Sequence, residues 1–544
     1  MKRFFFHTLH MIENTPLTLA SFAMTFFALI VARLLIENAL GLFQPQSFFY
    51  LFFEFAHTFL FFLCSFILLL PLVRFAGNTD YEKAAHVLLF GFLIILTPPI
   101  IDVWIFNGAH FWSFYEFDGL LGLVQRYFTF FGDTPNMGIT YGVRVEVALV
   151  TIALGFYAFL TSRRITKAIL VSLFAYSILF VLGTFPSWIT ILFFLFQKSL
   201  LAINANDVAA LFLTPENIFS RHIVDFRSVL NVKMSLVYAL LLVILSGIFL
   251  FREHRVYSVA LWRNARFPQL LYHGGLLLLG MFLALHFTDS VFPLDLFHGL
   301  ALIVLLCAVE SAWLASVIAN DFYDIPIDEK TNKDRPLIQK TIPQKTYALF
   351  GCLFFFLSLF FAGIVNFSAT LLLLAYQTLA WLYSAPPLRL KRFPLIATLF
   401  AATAGLLILI IGFLVVSPTN NLSLLPLPIL LFLFLAYLFI LPVKDFKDSL
   451  SDGAHHVYTI PVLLGIKKAK LLLGSFVFLF YVASIFLLNM RALLPIALCV
   501  GSLSFWIIQK GVANEKSFFS FRALPGQLLA LTIIYGLVIA YSLS

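Results

Sequence analysis

Apolar runs long enough to cross a lipid bilayer recur from one end of this chain to the other. A membrane-spanning helix needs about 20 consecutive, mostly apolar residues, and 62% of the 544 residues here are hydrophobic while only 11% are charged. This pattern excludes a water-soluble globular protein. It predicts an all-α, polytopic membrane protein.

A basic segment with four arginines divides the chain into two membrane domains: Arg252, Arg255, Arg263 and Arg266. We expect an N-terminal membrane domain of unknown role over residues 1–255 and a second domain over residues 256–544. The apolar runs of the first domain predict about six spans: 17–40, 47–73, 84–106, 143–161, 167–187 and 232–251. Those of the second predict nine: 270–288, 297–319, 346–366, 369–384, 396–416, 424–443, 468–488, 491–509 and 524–543.

The positively charged residues lie mainly in alternate loops. In the second domain, the loops after the second, fourth, sixth and eighth helices carry nearly all the Lys and Arg, and such loops face the cytoplasm. We therefore expect an integral, multi-pass protein of a prokaryotic cell membrane. The same rule accounts for the formal net charge of +9, so no nucleic-acid partner is expected.

Two copies of one acidic spacing end the second and sixth helices of the second domain. Each copy places aspartates at positions i, i+3 and i+7: Asp321, Asp324 and Asp328, then Asp445, Asp448 and Asp452. On a continuous helix these positions share a face. Each copy is thus expected to form one stripe of carboxylates, and both stripes open on the cytoplasmic side, where they can face one another.

Carboxylates beside the hydrocarbon of a membrane are costly, and they indicate a functional site by default. Mg²⁺ takes oxygen ligands and is commonly bound by a few carboxylates together with the oxygens of a substrate phosphate. Arg335, Arg389 and Lys391 lie in loops on the same side, and Arg and Lys are the side chains that bind phosphate oxygens. The sequence therefore predicts a magnesium and diphosphate site, with Arg389 and Lys391 equally explained as topology signals.

Three separated motifs resemble one family. They are Asn320-Asp321-x-x-Asp324-x-x-x-Asp328 with Asp334-Arg335-Pro336, the run Tyr383-Ser384-Ala385-Pro386-Pro387-Leu388-Arg389-Leu390-Lys391, and Lys444-Asp445-x-x-Asp448-x-x-x-Asp452. In this order they closely resemble the UbiA superfamily of intramembrane prenyltransferases, over about residues 265–544. The N-terminal half carries no such resemblance.

The resemblance implies a nine-helix bundle with a central cavity and an enzyme that needs Mg²⁺. Its expected reaction transfers an isoprenyl group from a prenyl diphosphate to a hydrophobic aromatic or lipid acceptor among the membrane lipids, with release of diphosphate. Carried over residue by residue, Asp321, Asp324, Asp445 and Asp448 are the expected catalytic residues, and all six aspartates are metal ligands. The expected diphosphate-binding residues are Asn320, Arg335, Lys391 and Tyr383.

Two departures from the family pattern leave the loop shape and the acceptor open. Leu337-Ile338 follows Arg335-Pro336 where a Ser-Gly turn is common, and Ser451 replaces a Gly before the last aspartate.

A second function also stays open: a cation-coupled transporter could use the aspartates as ion sites, although transporters usually bind ions near the bilayer midplane. In the first domain, Arg33 with Glu37, and Asp102, are interpreted as paired or interfacial groups.

Overall fold

The structure is a computed structural model. It describes residues 7, 10–40, 48–106, 114–132, 138–219, 221–223, 225–293, 295–447, 449, 453, 458–514 and 516–543. Within these residues, thirteen helices are long and apolar enough to cross a membrane. The predicted all-α, multi-pass membrane architecture is confirmed.

The chain forms two compact units. Unit 1 consists of Met1–Asn217 and His222–Phe249, and unit 2 consists of Ile218–Arg221 and Leu250–Ser544. The domain boundary that we predict from the sequence, between residues 255 and 256, stays a prediction.

Unit 1 contains six long spans and several short helices. The helices of this part of the chain are α1 (Leu19–Ala39), α2 (Phe48–Gly77), α3 (Tyr81–Gly91), α4 (Thr97–Ile105), α5 (Leu120–Phe128), α6 (Tyr141–Ser162), α7 (Ile165–Gly183), α8 (Phe185–Phe194), α9 (Ala205–Leu213) and α10 (Phe226–Glu253). Short 3-10 helices cover Phe92–Leu96 and Leu200–Ala202, and two-residue strands cover Asn217–Ile218 (β1) and Arg221–His222 (β2).

The third predicted span of unit 1, 84–106, is not one regular helix. It consists of α3, a 3-10 turn and α4, and Pro98 and Pro99 lie in the first turn of α4. Proline lacks the backbone N–H that a helix interior requires, but it is tolerated in a first turn. The proline pair therefore explains why the span is divided here.

The core of unit 1 is rich in phenylalanine. Phe26, Phe66 and Phe92 are buried among residues of α1, α2, α3, α6 and α7, and their ring centroids lie 5.3–6.0 Å apart. Aromatic rings at these separations contribute attraction beyond the area that they bury. This packing joins the middle parts of three spans of unit 1.

Unit 2 contains helices at all nine predicted positions, within the residues that the structure describes. Its helices are α11 (Arg255–Asn264), α12 (Phe267–Phe287), α13 (Leu296–Tyr323), α14 (Ile325–Thr331), α15 (Gln344–Val365), α16 (Phe367–Ser384), α17 (Pro394–Val416), α18 (Leu427–Ile440), α19 (Ile460–Leu487), α20 (Leu494–Lys510) and α21 (Leu524–Leu543). The 3-10 helices are Leu390–Arg392, Pro418–Asn420, Leu422–Leu424, Leu441–Phe446 and Arg491–Leu493.

Two glycines let α12 and α17 approach at backbone distance. A Cβ atom built on Gly280 would lie 1.9 Å from the carbonyl oxygen of Leu409, and one built on Gly412 would lie 1.9 Å from that of Leu277. Small residues at such crossings are how membrane helices gain close packing. The glycine pair thus packs α17 against α12, the helix that begins directly after Arg266.

The first acidic motif does not lie on one continuous helix. Helix α13 ends at Tyr323, Asp324 has non-helical backbone angles (φ −104°, ψ 5°), and α14 starts at Ile325 with Pro326 in its first turn. Because a proline ring collides with the carbonyl of the preceding turn, a helix cannot pass regularly through this point. The expected single stripe over Asp321, Asp324 and Asp328 is therefore wrong.

The second acidic motif is described only at its start. Asp445 is half-buried in the 3-10 helix Leu441–Phe446, which Val443 and Phe446 anchor in a core with α19 and α21. Asp448 and Asp452 lie outside the described residues, so the expected facing of the two motifs stays a prediction. Beyond them, Gly465 has a positive φ of 73° and marks a kink within α19, a conformation that glycine adopts at no steric cost.

Candidate active site

Asp321, in the last turn of α13, is buried and held on one side by neutral donors. Its Oδ2 accepts hydrogen bonds from Asn264 Nδ2 and from the Tyr347 hydroxyl, both at 2.7 Å. Asn264 ends α11 and Tyr347 lies in the first turn of α15, so three helices meet at this carboxylate. Arg335 Nη1 donates to Asn264 Oδ1 at 2.5 Å, which fixes the orientation of the Asn264 amide.

Two arginines lie on the other side of Asp321. Arg266 Nη2 lies 3.6 Å and Arg335 Nε 3.8 Å from Asp321 Oδ1. The Arg335 Nε atom is also 4.0 Å from Asp328 Oδ2, so Arg335 lies between the first and third aspartates of the motif. Among the described residues, Asp321 Oδ1 and the Nε atoms of Arg266 and Arg335 have no hydrogen-bond partner. Buried polar atoms of this kind usually indicate a missing partner.

Asp324 faces a different set of side chains. Lys391 Nζ lies 2.5 Å from both of its carboxylate oxygens, and Arg389 Nη2 donates to Oδ1 at 2.8 Å. Asn320 Nδ2 donates to Oδ2 at 2.8 Å, while Asn320 Oδ1 accepts from Lys391 and from the Ser384 hydroxyl. The interruption of the helix thus separates Asp324 from the partners of Asp321.

Burial affects the charged groups at the ends of the helices. The pKa of Asp328 is raised because the carboxyl is buried, an effect that a hydrogen bond from Asn332 and the charge of Arg335 oppose. Burial also lowers the pKa of Lys391, although the nearby Asp324 carboxylate favours the ammonium form. Both groups are therefore poorly hydrated and depend on nearby opposite charges.

Two of the arginines in this cluster have strained backbones. Arg266 has φ 56° and Arg389 has φ 43°, in the left-handed region that residues with a Cβ atom rarely adopt. Such conformations persist where the surrounding contacts determine them, and they are concentrated at functional sites. Here each one directs a guanidinium towards an aspartate.

Most of the predicted site residues that the structure describes are drawn together. Asn320, Asp324 and Lys391 contact one another directly, and Arg335 lies near Asp321 and Asp328. Tyr383 is half-buried in the last turn of α16, next to Ser384, and its hydroxyl has no hydrogen bond to another described residue.

The sequence analysis missed three contributors: Asn264, Arg266 and Tyr347. All three lie outside the acidic motifs and have no informative spacing relative to Asp321, which they reach only through the fold. Arg266 could have been suspected as part of the basic seam, but that seam was explained by topology. Arg389, which the sequence left undecided, contacts Asp324 directly.

The donor atoms fit a hard cation and an anion together. The carboxylates supply oxygen ligands, as Mg²⁺ requires, and Asp321 Oδ1 is a buried oxygen without a hydrogen-bond donor. Around the three carboxylates lie four cationic side chains: Arg266, Arg335, Arg389 and Lys391. In the part of the chain that the structure describes, no group of three or more acidic, His or Cys side chains is clustered closely enough to hold a metal alone. A metal here would therefore need further oxygens, from the second motif or from a bound phosphate.

Comparison with known proteins identifies this region. Residues 275–522, which include the first motif, Lys391 and the second motif, match the sequence profile described as the UbiA prenyltransferase family. This match lies within the C-terminal half of the chain. The resemblance inferred from the three motifs is thus confirmed.

Two similar proteins are named digeranylgeranylglyceryl phosphate synthase. The one from Pyrococcus horikoshii is 26% identical over 183 residues, or 34% of this chain and 64% of the relative. The one from Thermococcus sibiricus is 27% identical over 169 residues, or 31% of this chain and 57% of the relative. The chain thus spans less than two thirds of the length of either relative.

Among solved structures, a UbiA homolog from Archaeoglobus fulgidus bound to GPP and Mg²⁺ is similar at 20% sequence identity. The alignment covers 52% of this chain and 99% of that chain, with a TM-score of 0.38. The UbiA homolog from Aeropyrum pernix K1 is 19% identical, with coverage of 51% and 99% and the same TM-score.

Proposed function

We propose that this protein transfers an isoprenyl group from a prenyl diphosphate to a hydrophobic acceptor within the membrane and releases diphosphate. The observation that carries the proposal is the convergence of Arg266, Arg335, Arg389 and Lys391 on the first acidic motif. Guanidinium and ammonium groups are the side chains that bind phosphate oxygens, so their convergence favours a ligand that carries phosphate groups. The match of residues 275–522 to the UbiA prenyltransferase family supports the same reaction class.

In this proposal Asp321, Asp324, Asp328, Asp445, Asp448 and Asp452 hold Mg²⁺ together with the diphosphate oxygens. When bound, the metal neutralises the negative charge that builds up on the leaving diphosphate. Asp321 and Asp324 of the first motif and Asp445 and Asp448 of the second are the residues to which we assign the largest share of this role.

The cationic side chains bind and orient the diphosphate. Arg335 and Arg389 supply planar guanidinium groups that match phosphate oxygens, and Lys391 supplies a compact charge. In the structure, Lys391 Nζ donates to the Asp324 carboxylate. When that carboxylate binds a cation, the Lys391 ammonium group is close enough to donate to a phosphate oxygen instead. Asn320 and Tyr383 are further candidates for contact with the diphosphate.

The bond that breaks joins C1 of the prenyl chain to the diphosphate oxygen, whose electron pair leaves with the diphosphate. The bond that forms joins C1 to a nucleophilic oxygen or carbon of the acceptor, which loses a proton. An apolar environment keeps water away from the allylic carbon as positive charge develops there. Asn264 and Tyr347 do not take part in these steps; they hold Asp321 in position.

The depth of the site supports a transferase over a cation-coupled transporter. Asp321 lies in the last turn of a membrane-spanning helix, and Asp324 and Asp328 lie beyond it. Ion sites in transporters are typically near the bilayer midplane. On the basis of the alternating loop charges, we propose that this end of α13 faces the cytoplasm of a prokaryotic cell membrane.

The acceptor is aromatic or a lipid. The names of the two relatives make a prenylated glyceryl phosphate one candidate for the lipid. The test is to incubate the purified protein with labelled geranylgeranyl diphosphate, Mg²⁺ and a membrane lipid extract, and to identify the labelled product by mass. We expect a prenylated product and released diphosphate, both lost with a chelator. If the labelled geranylgeranyl diphosphate stays unreacted when aromatic and lipid acceptors are both supplied, the proposal is rejected.

A further inference from the structure

Unit 1 contains a partly open cavity of about 340 Å³ whose walls are mainly apolar. Its lining comes from α1, α2, α3, α4, α6, α7 and α10, with the aromatic rings of Phe61, Phe62, Phe92, Phe114 and Tyr115 among the lining side chains. Pockets for small molecules have volumes of roughly 300–1,000 Å³ and combine such walls with a few polar groups. The cavity is therefore large enough for a small organic molecule.

Among the residues that the structure describes, six charged side chains line this cavity: Arg33, Glu37, Glu54, Asp102, Glu146 and Arg227. They come from the C-terminal parts of α1 and α4 and the N-terminal parts of α2, α6 and α10. In spans that alternate in direction, these ends lie on the same side of the membrane. Ionisable residues within membrane spans indicate a functional site by default.

The cavity contains more carboxyl groups than cations. Arg33 Nη2 lies 3.1 Å from Glu37 Oε1, and Arg33 Nη1 lies 3.7 Å from Glu146 Oε2. Arg33 thus faces two acids at once. Its Nη1 also donates to the carbonyl oxygen of Ile95 at 2.5 Å.

The other two acids are compensated differently. Arg227 Nη2 donates to Glu54 Oε1 at 2.5 Å. Asp102 Oδ1 accepts from the backbone N–H of Gly142 at 2.7 Å, in the first turn of α6, where a helix presents free N–H groups and a partial positive charge. The sequence interpretation of Arg33, Glu37 and Asp102 as paired groups agrees with these contacts, but it could not reveal the cavity.

Glu54 has one oxygen without a partner. Its Oε2 atom is buried and has no hydrogen bond to any described residue, although the side chain lines the cavity and the residue is only 8% exposed. A buried acceptor left without a donor costs about 1–3 kcal/mol, and more if it is charged. A donor placed in the cavity would remove this cost.

We propose that this cavity binds a small amphipathic molecule with an aromatic or alkyl body and one cationic amine head, and that the head donates to Glu54. The body packs against the phenylalanine walls, and the positive head offsets the excess of carboxyl groups. The proposal concerns unit 1 alone and does not depend on the reaction assigned to unit 2.

The test uses the full chain in lipid nanodiscs and three probes of matched shape: 4-phenylbutylamine, 4-phenylbutanol and 4-phenylbutyrate. Binding is measured by isothermal titration calorimetry at pH 7, with the heat of empty nanodiscs subtracted because the probes also partition into lipid. We expect saturable binding of the amine, at least tenfold tighter than that of the alcohol or the carboxylate. The proposal would be overturned if the alcohol bound as tightly as the amine, if the carboxylate bound more tightly, or if no probe showed saturable binding.

Variants show whether the cavity is the place of binding. Glu54→Gln should weaken amine binding at least tenfold, whereas Glu82→Gln, which changes an exposed acid of the same unit, should leave it unchanged. Equal binding in wild type and Glu54→Gln would contradict the assignment.

A second variant covers the case in which Glu54→Gln fails to fold because Arg227 loses its partner. Ser65 lines the cavity and is 3% exposed. Its hydroxyl donates a hydrogen bond to the carbonyl oxygen of Phe61, one turn earlier in the same helix. Ser65→Leu therefore fills space in the cavity without removing a charge. It should also weaken amine binding at least tenfold, and unchanged affinity would overturn the proposal.

Discussion

Both units of this protein gather charged side chains at the ends of membrane helices, but the balance of charge among the described residues differs. In unit 2, four cationic side chains surround the three carboxylates of the first acidic motif. In unit 1, four carboxyl groups share a cavity with two arginines. In a poorly hydrated site, excess charge is costly unless a ligand of opposite sign compensates it. These arrangements are the basis on which we propose a phosphate-bearing ligand for unit 2 and a cationic head group for unit 1.

The largest expected effect comes from removing one carboxylate of unit 2. Asp324→Ala, and equally Asp448→Ala, should lower Mg²⁺-dependent release of diphosphate from an allylic prenyl diphosphate about a thousandfold or more, as loss of a group that stabilises a charged transition state does. The rate is measured by release of labelled diphosphate from purified protein in membranes.

Asp289→Asn is the matched control, because this aspartate is exposed just beyond the opposite end of α12. It should keep the wild-type rate. If both alanine variants keep the wild-type rate at normal amounts of folded protein, the acidic motifs of unit 2 do not take part in the reaction. The contrast between the two units would then have no functional meaning.

The next effect separates the two units physically. A fragment of residues 250–544 should retain the reaction, because it contains every described member of the cation and carboxylate cluster. A fragment of residues 265–544 covers the whole family resemblance but lacks Asn264, and it should be about 10- to 100-fold slower, since a hydrogen bond to a charged group contributes about 1.5–3 kcal/mol.

Rates of both fragments are compared after size-exclusion chromatography has shown that each is folded. Equal rates would show that Asn264 does not position Asp321. A folded but inactive 250–544 fragment would show that unit 1 contributes to the reaction.

A smaller effect is expected at Tyr347, whose hydroxyl donates to Asp321 at 2.7 Å. Tyr347→Phe removes this one donor and keeps the ring, so the rate of diphosphate release should fall about tenfold. Tyr257→Phe is the control, because Tyr257 packs in the same apolar cluster and its ring stacks on His254. A rate for Tyr347→Phe equal to that of the control would mean that Asp321 needs no fixed orientation.

The smallest effect concerns stability rather than activity. Gly412→Ala places a Cβ atom against the carbonyl oxygen of Leu277, and such overpacking costs about 1–3 kcal/mol. The thermal unfolding midpoint should therefore fall. Gly275→Ala adds a Cβ with no atom within 4 Å and should not lower it. Equal midpoints would show that the α12–α17 crossing can open without cost.

Much of the fold of this protein was predictable from the sequence. Every predicted span corresponds to helical structure with bounds shifted by up to eight residues, because bilayer thickness imposes a long apolar run that is visible without tertiary information. The break at Asp324 had its own signal in Pro326, which was overlooked in favour of the i, i+3, i+7 spacing. Similarly, Pro98 and Pro99 marked the division of the third span.

The candidate site of unit 2 was predictable in part. Asp321, Asp324, Arg335 and Lys391 belong to local motifs, whose spacing carries information. Asn264 and Tyr347 lie 57 and 26 residues from Asp321 along the chain, and single polar residues at such distances have no spacing that distinguishes them from other loop or interfacial residues.

The sequence alone determined that this chain crosses a membrane many times and that its second half carries the acidic motifs of a known family. Those properties follow from composition, periodicity and short-range spacing, which need no fold to be recognised. Only the tertiary structure decided which cation faces which aspartate and that six charged residues of unit 1 share one cavity. These residues come from five separate helices, and only packing in three dimensions brings such distant positions together.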